Sequence, residues 1–92
     1  MNIIEVEERP KQPVKREAIY NDSLADTLVA IRDWVKKRDY INLIIDEANG
    51  KMTIYGRSGT VDVLDNYWLV REGIGEYVCY SESEFALAYR RL

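Results

Sequence analysis

The side chains able to do bond chemistry are few: the chain has no histidine and one cysteine, Cys79. Without imidazole there is no Ser-His or Cys-His nucleophile pair, no histidine-built zinc, iron or copper site, and no general base of the usual kind near neutral pH. Cys79 stands between Val78 and Tyr80 in a β-rich run, where a thiol serves as a small core hydrophobe rather than a nucleophile. Asp46-Glu47, ahead of Asn49-Gly50, is the best carboxylate pair for a divalent ion. Adjacent strand residues point to opposite faces, however, and an EF-hand needs many more oxygens at fixed spacing, so solvation of a turn explains the pair better. Gly73-Ile74-Gly75 is too short for a phosphate-cradling loop and reads as a hairpin turn. The chain is therefore expected not to be an enzyme and to hold neither metal nor cofactor.

What remains is aromatic: one phenylalanine, two tryptophans and seven tyrosines. Tyrosine and tryptophan offer large contact areas with few rotamers to freeze, which suits binding surfaces. At least two of Tyr40, Tyr55, Trp68, Tyr77 and Tyr80 are expected to contact a partner. The candidate partner-binding set is Tyr55, Arg57, Trp68, Tyr77 and Tyr80.

Charge narrows the class of partner. The net charge is −3, whereas sequence-independent nucleic-acid binding needs a basic surface that displaces counterions, so direct nucleic-acid binding is not expected. Acids and bases balance up to Tyr40. Beyond it Asp46, Glu47, Asp62, Asp65, Glu72, Glu76, Glu82 and Glu84 face only Lys51, Arg57 and Arg71 before the closing Arg90-Arg91. A solubilising face is the simpler account of this acidic half, and an anionic surface for a basic partner the sharper one. The lone basic run, Lys36-Lys37-Arg38, suits the negative pole of a helix dipole. No apolar run is long enough to span a membrane, a single cysteine closes no intramolecular disulfide, and the N-terminus lacks a basic segment followed by an apolar one. The cytoplasm is the expected compartment.

The elements that must position these residues read as one domain of 92 residues, in which residues 1–12 form an N-terminal arm and 13–92 an α+β unit. Val14 to Tyr20 reads as a charged strand suited to a sheet edge. Asn21-Asp22-Ser23 opens a helix, with Ser23 and Asp26 approximating a capping box and Leu24, Leu28, Ile31 and Val35 forming one apolar stripe. Ile41 to Asp46 and Lys51 to Tyr55 flank Asn49-Gly50 as a hairpin. Thr60 to Leu64, Tyr67 to Arg71 and Glu76 to Tyr80 are further short strands, with turns at Gly56 to Gly59, Asp65-Asn66 and Gly73 to Gly75. Ser81 and Glu84 match a capping box, and Phe85, Ala88, Tyr89 and Leu92 share one face of a final helix. The expected fold is thus a small, mostly antiparallel sheet of about five short strands with two helices packed on it. Tyr67-Trp68-Leu69-Val70 is apolar on both faces of its strand, and one helix stripe each does not obviously cover both. The arm or another molecule, including a second copy of the chain, is expected to cover the second face.

Pro13-Val14 and Glu17-Ala18-Ile19, then Asn66-Tyr67, Gly75-Glu76-Tyr77, Cys79, Phe85 and Tyr89, resemble the PGDYG family of phage and prophage proteins. Asp65-Asn66-Tyr67 stands where that family has Gly-Asp-Tyr. The resemblance implies a viral origin and a compact α+β fold, and it transfers no chemistry to any residue. The leading expectation is a phage accessory protein that binds a host or immune-system protein, in host takeover or counter-defence or as the target of host defence. One alternative is an oligomeric sponge for a nucleotide signal, with Arg57, Arg71, Arg90 and Arg91 on the phosphates. A second is an acidic DNA mimic.

Overall fold

The computed structural model describes residues 3–9, 14–39, 43–46, 51–57 and 59–92. Among the described residues eight antiparallel strands form two sheets, so the fold is α+β, as the sequence predicts, but with more strands than predicted. The first sheet has the order β7-β6-β2-β1-β8, built from β1 (Ile4–Glu8), β2 (Lys15–Tyr20), β6 (Trp68–Gly73), β7 (Glu76–Tyr80) and β8 (Tyr89–Arg91). The second has the order β3-β4-β5, from β3 (Leu43–Asp46), β4 (Lys51–Gly56) and β5 (Gly59–Val63). Helix α1 spans Ala25–Asp39 and helix α2 spans Glu82–Ala88.

Residues 4–8 are therefore no arm. Ile4 and Val6 alternate with Glu5 and Glu7, and β1 pairs with β2 on one side and β8 on the other. That insertion moves β2 from the predicted edge to the centre of the sheet, between β1 and β6. The final helix stops four residues short of Leu92: Tyr89 is already extended, and Tyr89–Arg91 pairs with β1. Asn49-Gly50 lies outside the described residues; β3 and β4 on either side of it pair antiparallel, Leu43 with Ile54 and Asp46 with Lys51.

Both faces of the first sheet are buried within one chain. On one side Ile19, Leu69 and Tyr77 pack with Ile31, Trp34 and Val35 of α1 and with Met52, Ile54 and Val63 of the second sheet. On the other, Val6, Ala18, Trp68 and Val70 pack with Phe85 and Tyr89. Among the described residues, the second face is thus covered by α2, with Tyr89 at the start of β8 packed beside it. At the head of α1 the caps differ from expectation. Ser23 sits at φ 70° and its N–H donates to Asn21 Oδ1, while Asp22 accepts from the Leu24 N–H and from the buried Thr27 hydroxyl. Leu24 is consequently left at the surface, and Trp34, not part of the predicted stripe, takes a core position beside Ile31 and Val35. The capping box of α2 forms as predicted, with Ser81 Oγ accepting from the Glu84 N–H and Glu84 Oε1 from the Ser81 N–H.

Candidate functional site

A binding surface needs side chains that the fold leaves unsatisfied, so each candidate is sorted by what it touches. Trp68 is 5% exposed; its indole stacks on Phe85 at 4.2 Å with planes 6° apart, and Tyr20 leans on it at 5.4 Å. Tyr77 is equally enclosed, edge-on to Trp34. Its hydroxyl donates to Asp39, whose carboxylate also accepts from Arg71 Nε and Nη2 at 3.0 and 2.9 Å. The Arg71 guanidinium is the main reason that the Asp39 carboxyl is held down to about 2, while burial, foremost, and the Asp39 charge push the Tyr77 phenol up. Tyr80 is half-buried, and its hydroxyl, like that of Tyr89, donates to Glu72; burial and that carboxylate push the Tyr80 phenol up to about 12. Trp68, Tyr77 and Tyr80 are therefore structural groups rather than an exposed aromatic anchor. Tyr40 lies outside the described residues.

Tyr55 and Arg57 are different: both are exposed, Tyr55 by 44%. They sit at the end of β4, where the chain meets the β6–β7 turn. The Arg57 N–H donates to the Gly75 carbonyl at 2.8 Å, and a Cβ on Gly56 would lie 2.8 Å from that same oxygen, so the close approach requires glycine. Gly75 turns at φ 69°, a value glycine adopts without strain. Between Gly73 and Gly75, this geometry pushes Ile74 outward until it is 71% exposed. Val78, also at the surface, lies in β7 and borders a seam of about 150 Å³ shared with Gly56, Thr60, Val61 and Glu76. The sequence reading missed Ile74 and Val78. A large aliphatic residue between two turn glycines was the available signal, since nothing in a two-residue turn can bury it.

The arginines proposed for a nucleotide sponge lie at three separate places within one chain. Arg71 lines a groove of about 380 Å³ with Lys15, Arg16 and Arg38, Arg90 and Arg91 line a separate cavity, and Arg57 is at the turn seam. Several acids of the C-terminal half are also used internally: Asp62 accepts from Thr53, Glu72 from two tyrosines, and Glu84 caps α2. Cys79 lies on the α1 side of β7, its thiol pushed up chiefly by burial and donating to the Asp62 carbonyl at 3.3 Å. Among the described residues no group of three or more histidine, cysteine or carboxylate side chains could hold a metal, and no helix is long and apolar enough to cross a membrane. No family model, curated protein or solved structure matches the chain.

Proposed function

We propose that this is a viral accessory protein that works by binding a protein of the host or its immune system through the joined β4–β5 and β6–β7 turns. The observation that carries the reading is Ile74, a large aliphatic side chain held in solvent by a turn that is itself hydrogen-bonded to the neighbouring turn. Exposed apolar groups on a rigid backbone bind at low entropic cost, because little has to be ordered on association. Tyr55, exposed near the end of β4, adds an aromatic contact, and Arg57 and Glu76 supply polar rim groups that orient a partner. The viral assignment rests on the PGDYG-like residues.

The test is capture from phage-infected host lysate, with mass-spectrometric identification, using the native chain and an Ile74→Asp/Tyr55→Ala variant side by side. A specific host protein held by the native chain and lost by the variant, at unchanged melting temperature, supports the reading. The same protein held equally by both overturns it.

A further inference from the structure

On a chain with net negative charge, two guanidinium groups, those of Arg9 and Arg91, border one aromatic cavity. Arg9 follows β1 and Arg91 lies in β8; the β1–β8 pairing, Glu8 opposite Tyr89 and Val6 opposite Arg91, brings them to the same end of the sheet, while Arg90, opposite Glu7, turns its side chain to the other face. Arg9 and Arg91 line a cavity of about 210 Å³ with Trp68, Phe85, Ala86 and Tyr89, and among the described residues Glu82 is the one carboxylate in its wall. Arg90 is held by Glu7, Nε to Oε1 at 3.0 Å. The other two have no carboxylate partner among the described residues. Arg9 Nε donates to the Tyr89 carbonyl at 3.1 Å, which orients the side chain, and Arg91 rests over the Trp68 ring at 4.9 Å.

We propose that this cavity is a binding site for a phosphate group. Guanidinium forks match phosphate oxygens in pairs, and a group already oriented by a backbone carbonyl or a ring face loses less freedom on binding than a free surface arginine. The volume falls short of the ~300 Å³ at which pockets enclosing a whole small ligand begin, so the cavity takes the phosphate end and leaves any attached moiety outside. The site stands apart from the Ile74 turn and does not depend on its role.

The experiment titrates the full chain, at constant ionic strength, with inorganic phosphate, adenosine monophosphate and adenosine, reading calorimetry and tryptophan emission. A phosphate held by Arg91 over the indole changes the charge at the ring face and with it the emission of Trp68, while Trp34, on the other side of the sheet, supplies a constant background. Saturable binding of both phosphates but not of adenosine is expected, weakened at least tenfold in Arg9→Gln/Arg91→Gln. Equal affinity for the two phosphates marks the free ion as sufficient, and a tenfold preference for adenosine monophosphate marks a nucleotide as the source. Both side chains are on the surface, so the variant keeps its melting temperature and remains a fair comparison. No saturable binding by the native chain, or binding unchanged in the variant, overturns the proposal.

Discussion

The two faces of the central sheet are closed by different means. On the α1 side the cover is spread over many aliphatic groups from a fifteen-residue helix and a second sheet, among them Ile31, Val35, Met52, Ile54 and Val63. On the α2 side a seven-residue helix contributes one buried residue, Phe85, and closure depends on a few large rings in contact: Trp68, Phe85, Tyr89, Tyr80 and Tyr20. A distributed cover tolerates a lost methyl group, whereas a cover of stacked rings fails when one ring is removed.

Trp68→Ala is accordingly the most damaging change expected, at roughly 3–5 kcal/mol in chemical denaturation, the usual cost of emptying a buried aromatic position. A cost below that of trimming Ile54 to valine, about 1 kcal/mol, would reverse the contrast between the faces. Next comes the polar lock on the α1 side. Asp39→Asn, which removes the charge-assisted bonds from Arg71 and Tyr77, is expected to cost about 2 kcal/mol. The same carboxylate gives a pH signature. Its folded value of about 2 lies below the ordinary 3.8, so its contribution is complete above about pH 4 and is lost as the pH falls toward 2. Asp39→Asn should flatten this part of the acid unfolding profile, and an unaltered profile would remove Asp39 as its source. Ser81→Ala should cost about 1 kcal/mol through loss of the α2 cap, and because α2 holds Phe85 on Trp68, the loss should also appear in tryptophan emission. The smallest expected effect is at Cys79: slow maleimide labelling of the native chain and fast labelling in denaturant, with no change of stability on adding a chelator. Fast native labelling would show that the β5–β7 seam opens.

Most of this architecture is legible where the pattern is local. Gly56, Asp65-Asn66 and Gly75 mark the turns, with Asn66 at φ 62°, and the strands between them fall within a residue or two of expectation. Ser81 and Glu84 fix the start of α2. The failures are long-range. Glu5, Glu7 and Glu8, followed by Pro10 and Pro13, give β1 the composition of a loop, and its strand character depends on β2 and β8, which no local window contains. Tyr89 and Leu92 fit a helical spacing with Phe85 and Ala88, yet β1 offers Tyr89–Arg91 a ladder that the helix does not. The division into two sheets is likewise a matter of partner choice. For the site, residue type was a poor guide and position a better one: Trp68 and Tyr77 looked like anchors and are core, whereas Ile74 was passed over as part of a turn.

The pairing of β1 with β8 also sets a clock on biogenesis. More than eighty positions separate Val6 from Arg91, which lie opposite one another in the ladder. Contacts of such long sequence separation carry a loop-closure cost before they stabilise anything, and they slow folding. A ribosome must deliver Tyr89–Arg91 before β1 can be zipped on its outer side, so until then that flank of the nascent sheet is an unpaired edge, open to any other strand it meets.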